Sequence, residues 1–347
     1  SISSQASSNQ SVTTENQNFE PPPPTIGTNL AGIADWSTQY PFIDYFKSSR
    51  DWITHGADIW STDETDLLDL DENGWVRSLN GGTFVSVGTF VPNDNQGRTF
   101  VVLYDGEGRI QYQLGARQDN EVSTPGRDIF YAEPEKPLHL RIVETDPNGT
   151  GDYIRNIRVI SSEYEAVYES QIFNPDSLDS LRGYGVLRFM DWMETNHSSQ
   201  REWGDRPQPS DADYFGEGVP LEIMVALANE TGIAPWFTLP HLATDDYVRQ
   251  FAQYVKTNLD PDLQIYIEFS NEVWNPQFAQ ARYALGQGTN DRTQAFQWFG
   301  RRTAEITQIW DEVFSADNTR IIGVMGAQAA NSWTAEQALT PIRESQR

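Results

Sequence analysis

Ile265-Tyr-Ile-Glu-Phe-Ser-Asn-Glu-Val-Trp-Asn275 is the stretch on which the reading of this chain turns. Its apolar opening predicts a strand over 264–269, with two carboxylates at or just past its end. Glu268 and Glu272 are four residues apart, so an extended chain would send both side chains to one face. Asn271 stands immediately before Glu272, and its amide can both donate and accept a hydrogen bond beside the acid.

Working outward, the neighbouring segments alternate strand and helix. Gly185-Val-Leu-Arg-Phe-Met190 and Ile233-Ala-Pro-Trp-Phe-Thr-Leu239 read as strands, and Thr319-Arg-Ile-Ile-Gly-Val-Met325 as another. Helices are expected over 175–181, over 220–231 with Pro220 in the first turn and Gly232 past the end, over 245–259, and over 292–313. Thr25-Ile-Gly-Thr-Asn-Leu-Ala-Gly-Ile33 supplies an earlier strand, and apolar residues near helical spacing over 40–53 predict a helix after it. Repeated strand–helix units with apolar strands predict α/β architecture, a parallel sheet closed by outer helices. Five such strands are counted, near residues 26, 186, 234, 265 and 321. The expectation is therefore a (β/α)8 TIM-type barrel of which about the first five units are present.

Between the first two units the pattern changes. Short strands at 83–91, 99–104, 110–114, 138–143 and 154–160, with Asp105-Gly106 and Asn148-Gly149 turn signals, predict an inserted antiparallel β-sandwich. The expected organisation is a linker over 1–24, a first βα unit over 25–59, the sandwich over 60–168, and units two to five over 169–347. The linker is rich in Ser, Gln and Asn and ends in Pro21-Pro22-Pro23-Pro24, the composition of a flexible tether stiffened by polyproline. Such tethers commonly follow an export signal, so an extracellular or cell-surface location is expected.

Composition narrows the partners. A net charge of -26 repels nucleic acid and anionic membranes but leaves a neutral polymer unaffected. The absence of cysteine excludes disulfides, thiolate metal sites and thiol nucleophiles. No apolar run reaches the roughly 18 residues of a membrane span.

Glu268-Phe-Ser-Asn-Glu272 resembles the fourth-strand motif of the clan A (β/α)8 retaining glycoside hydrolases, which include many endoglucanases and mannanases. The resemblance extends over 25–56 and 170–347 and leaves out the sandwich. It implies that Glu272 is the general acid/base of a secreted enzyme cleaving β-linked polysaccharide, with Asn271 beside it. Arg188 resembles the clan's strand-two arginine, with Glu268 as its partner, and His241 the histidine that ends strand three. The clan's nucleophile is a Glu on strand seven. No residue of this chain matches it, and it is expected beyond residue 347. The implied mechanism retains configuration, with two carboxylates about 5 Å apart.

Asp35, Trp36, Trp192 and Trp203 fall in loops after strands and Trp274 follows the motif, so all five are candidates to line a sugar cleft. Core packing is the competing reading for each tryptophan. Glu272 could instead cap the following helix, and His241 could be an ordinary turn residue. No cofactor is implied. Asp69-Leu-Asp-Glu-Asn-Gly74 is similar to the first half of a calcium loop, with Asp69, Asp71 and Asn73 as oxygen donors, but position twelve is Asn80 rather than Glu. A plain turn is the alternative there. A non-catalytic carbohydrate-binding protein on the same scaffold is the competing functional reading.

Overall fold

The computed structural model describes residues 26–345; the linker expected over 1–24 lies outside them. In chain order the strands are β1 (Ile26–Asn29), β2 (Ile53–His55), β3 (Asp69–Leu70), β4 (Val76–Ser78), β5 (Ser86–Val91), β6 (Thr99–Asp105) and β7 (Gly108–Leu114). They continue as β8 (Ala116–Gln118), β9 (Arg127–Ala132), β10 (Leu138–Thr145), β11 (Arg155–Ser161), β12 (Tyr184–Arg188), β13 (Ala234–Leu239), β14 (Ile265–Phe269) and β15 (Ile321–Val324). The helices are α1 (Pro175–Ser180), α2 (Leu221–Thr231), α3 (Asp245–Asn258), α4 (Ala279–Gln287), α5 (Arg292–Phe314) and α6 (Ser332–Ser345).

Five strands form one parallel sheet in the order β1-β12-β13-β14-β15. These are the five strands expected from the sequence, and the fold is mixed α/β. Along the three central strands, β12, β13 and β14, alternate residues such as Leu187, Phe237, Ile265, Ile267 and Phe269 are buried in a core shared with α2, α3 and α5. The opposite face carries Val186, Arg188, Trp236, Tyr266, Glu268 and Ile322, and all of these except Glu268 are only half-buried. Among the described residues β1 pairs only with β12 and β15 only with β14, so both edges of the sheet are open.

The helices end where local chemistry dictates. Thr244 caps α3 by accepting the Tyr247 N–H at 3.2 Å. Asp291 caps α5 through Gln294 N–H at 2.9 Å, and Gly232 ends α2 at φ 66°. Helix α4 was not legible from the sequence.

Of the ten other strands among the described residues, β3 pairs with β4 in a two-stranded sheet, and eight form two four-stranded antiparallel sheets, β2-β5-β10-β7 and β11-β6-β9-β8. Inward residues of both, among them Val87, Phe100, Ile110, Phe130, Leu140 and Val159, share one apolar cluster. That is the packing of a sandwich.

The helix expected over 40–53 is not formed. Its place is taken by a 3-10 turn, Tyr45–Ser48, with Asp44 accepting Phe46 N–H at 3.0 Å, and then by β2, which pairs with β5. The apolar residues there serve two cores: Phe42 packs with the parallel sheet, whereas Tyr45, Phe46 and Trp52 pack inside the sandwich. Their spacing therefore has no single helical face behind it. The sandwich sheet consequently takes in residues N-terminal to the expected boundary at 60.

Candidate functional site

All five parallel strands run the same way, so their C-terminal ends lie along one edge, and the candidate residues gather there. Arg188 closes β12 and is level with Trp236 of β13; Glu268, in β14, is level with Thr238. Arg188 Nε and Nη2 donate to Glu268 Oε2 at 3.1 and 2.8 Å, and Trp236 Nε1 donates to the same oxygen at 2.9 Å. The guanidinium also lies over the Trp236 ring, 5.2 Å from its centre. Burial pushes the Glu268 carboxyl above its ordinary value, and Arg188 and the Trp236 N–H pull it back.

Arg188 Nη2 further donates to Asn271 Oδ1 at 3.1 Å. The other end of that amide donates to Asn196 Oδ1 at 3.1 Å. Gln280 Nε2 donates to Asn196 Oδ1 at 2.7 Å and to the Asn271 carbonyl at 2.9 Å. Asn271 is thus held at its side chain and its backbone, with one amide proton still to give.

Strand alternation stops at Phe269. Ser270 and Glu272 have φ of 61° and 40°, a region that non-glycine residues seldom occupy. Backbone of this kind stores strain and concentrates at functional sites. Glu272 and Glu268 are therefore not aligned by the simple two-residue repeat of a strand. Glu272 opens a turn in which Asn275 N–H donates to its carbonyl at 2.9 Å and Asn275 Nδ2 to its Oε2 at 2.9 Å. It does not cap α4, whose N-cap is Phe278.

His241, just past β13, is buried, with its ring edge-on to Tyr283 at 5.4 Å. Burial, and then His197, push its pKa down to about 4, so the ring is neutral near pH 7. His197 in turn accepts the Ala279 N–H at 3.3 Å, next to Gln280 of the amide network. Gly326, past β15, runs close over the same edge: a Cβ there would stand 2.9 Å from Glu268 Oε1 and 3.6 Å from the Trp274 ring. Trp274 also forms one wall of a 380 Å³ cavity with Phe296 and Gln328.

The loop candidates divide. Trp192 is 2% exposed, donates to the Ala31 carbonyl at 3.0 Å, and packs on Phe42 and Phe189 at 5.7 and 5.6 Å. Its ring is packed as part of the core. Trp203 is covered by Arg206 at 4.3 Å and meets Tyr247 edge-on at 5.8 Å, so its ring too has a packing role. Asp35 is held by Arg50 through two bonds of 2.7 and 2.8 Å. Trp36 is 63% exposed and lines an open cleft of 530 Å³ against the sandwich.

The calcium-like segment is a hairpin turn between β3 and β4. Asp71 Oδ1 accepts the N–H groups of Asn73 and Trp75 at 2.9 Å each, and its Oδ2 accepts the Tyr153 hydroxyl at 2.7 Å. Asp69 faces Arg77 at 3.5 Å. Both Asp71 oxygens are thus engaged by the protein, and among the described residues no group of three His, Asp or Glu side chains that could hold a metal occurs.

Sequence reasoning missed Asn196, Gln280, His197 and Trp236. Trp236 was within reach, because strand register puts it beside Arg188. Asn196 and Gln280 lie 75 and 9 residues from Asn271 and carry no local signal. A second acidic group was missed as well: Asn29 Nδ2 donates to Asp191 Oδ2 at 2.8 Å, and burial, then Asp191 and Glu217, push the Glu194 carboxyl up.

No protein-family model, curated protein or solved structure matches this chain. The site's chemistry must therefore be judged on its geometry. Among the described residues no helix is long and apolar enough to cross a membrane.

Proposed function

We propose that this chain carries the acid/base half of a retaining glycoside hydrolase acting on β-linked polysaccharide, with Glu272 as the general acid/base. The observation that carries the reading is the Arg188–Glu268–Asn271 network at the end of the fourth strand of the sheet. It fixes Asn271 and leads directly into the strained backbone of a half-buried glutamate. In this role Glu272 protonates the departing glycosidic oxygen and then takes a proton from the incoming water. Asn271 offers its remaining N–H to a sugar hydroxyl, and Trp274 offers a ring face to a pyranose.

Closure of the sheet into a (β/α)8 barrel belongs to the same proposal. The open edges of β1 and β15 and the half-buried, Arg/Glu/Trp-bearing face support it, since that face would become the barrel interior. The nucleophile is not assigned to any residue of this chain. Export to the cell exterior is proposed with it, on the composition of residues 1–24.

The test is hydrolysis of soluble β-glucan and β-mannan by the natural gene product. Glu272→Gln should reduce the rate at least a hundredfold with an unchanged thermal transition, and an unchanged rate refutes the assignment. A glycan-binding protein without catalysis is the second reading. The exposed Trp36 favours it, and binding without hydrolysis by the unsubstituted protein would establish it.

A further inference from the structure

Outside the catalytic edge, a row of rings crosses the surface from the loop after β1 onto the β2-β5-β10-β7 sheet. Trp36 lies 5.1 Å from the Arg50 guanidinium, which lies 4.4 Å from the Phe90 ring, and Phe90 is 6.0 Å from Trp60. The two ends of this row are its exposed members, Trp36 at 63% and Trp60 at 49%. The interior members are pinned: Arg50 is tied to Asp35 by two hydrogen bonds, and Phe90 packs on the buried His139 at 4.9 Å. Rigid, half-solvated indoles held in line are costly to leave in water and are suited to stacking.

The cleft beside this row has a volume of 530 Å³, within the range of about 300–1,000 Å³ found for ligand sites. Its charged lining residues are Asp35 and Glu135 against Arg50 and Lys136, two of each sign in a chain of net charge -26. A balanced lining on so acidic a protein favours a neutral ligand over an anion or a cation. Asn95 adds an amide whose oxygen accepts Glu135 N–H at 2.9 Å and whose nitrogen is left to donate.

We infer that this groove, the cleft together with the ring row that runs from it past Phe90 to Trp60, is a second, non-catalytic binding site for an extended neutral polysaccharide, whose sugar rings stack on Trp36 in the cleft and on Trp60 beyond it. It shares with the proposed function only the class of ligand and does not need Glu272. The sandwich then holds the polymer while the loop after β1 links that grip to the catalytic edge.

Affinity electrophoresis of the intact protein through gels holding soluble β-glucan or β-mannan tests this, with polygalacturonate as the anionic comparison. The unsubstituted protein and Glu272→Gln should be retarded equally by at least one neutral polymer. Trp36→Ala and Trp60→Ala should each weaken that retardation at least tenfold while melting with the parent. Lack of retardation by both neutral polymers, equal retardation of the tryptophan variants, or retardation by polygalacturonate alone would overturn it. Loss of hydrolysis without loss of binding leaves the groove standing, and the reverse leaves Glu272 standing.

Discussion

Replacing Arg188 by alanine removes three hydrogen bonds at once: two to Glu268 Oε2 and one to Asn271 Oδ1. Glu268 is 5% exposed, so its carboxylate is left with the Trp236 N–H and no countercharge. Breaking a buried pair in this way costs about 3–5 kcal/mol, a large share of the roughly 5–15 kcal/mol that holds a domain folded. At a urea m-value of about 2 kcal/mol/M the midpoint should fall by roughly 2 M. The loss should depend on pH. Burial already raises the Glu268 carboxyl, and without Arg188 it rises further. A carboxyl whose folded pKa lies above the unfolded one loses stability as pH rises from the unfolded value through the folded one. The Arg188→Ala penalty should therefore be largest near pH 8 and shrink toward pH 5. Adding Glu268→Gln should recover much of it, because the stranded charge is gone. Urea melts followed by tryptophan fluorescence at pH 8 and pH 5 measure this. A penalty under 1 kcal/mol, or one that does not change between the two pH values, would refute the reasoning.

Two further outcomes follow from burial. Trp192→Ala should cost about 3–5 kcal/mol, because it empties a ring-sized volume in the core, whereas exposed Trp36→Ala should stay within about 0.5 kcal/mol; calorimetry separates them. His139 is fully buried with no partner at Nε2, and burial, then His55, push its pKa down to about 3. A histidine lowered on folding is protonated preferentially in the unfolded chain, so stability should fall as pH drops from about 6.5 toward 3, by up to about 5 kcal/mol. His139→Leu should flatten the dependence of the urea midpoint on pH in that window, and an unflattened slope would contradict it.

How much of this was legible in the sequence differs element by element. The parallel strands were, because each is a short apolar run followed by polar loop residues, and their order along the chain is their order in the sheet. The segment over 40–53 was not, because its apolar residues are shared between two cores and periodicity assumes one. At the site, the resemblance pointed to Arg188 with Glu268 as its partner, and the motif to Asn271 beside Glu272; the structure joins Arg188, Glu268 and Asn271 by hydrogen bonds. The backbone turn at Ser270 and Glu272 was not, since nothing in a Ser-Asn-Glu run announces positive φ at non-glycine residues. Nor was the fate of the tryptophans: Trp36 and Trp192 both follow strands, and only tertiary packing exposes one and buries the other. The hairpin at Asp71 shows the same limit, because Asp-x-Asp-x-Asn-Gly suits a tight turn as well as a cation loop until Tyr153, 82 residues away, claims the second oxygen.

The central claim, that Glu272 is the acid/base of a retaining glycosidase, is tested most directly by azide rescue. In the natural gene product, with an aryl β-glycoside whose phenolate leaves without needing a proton, Glu272→Ala should still pass the glycosyl group to the proposed nucleophile, a carboxylate not assigned to any residue of this chain, but release it slowly. Azide needs no general base, so it should speed turnover of the variant at least tenfold and yield the β-glycosyl azide, while leaving the parent protein unaffected. No acceleration, or an α-glycosyl azide, would contradict the role assigned to Glu272.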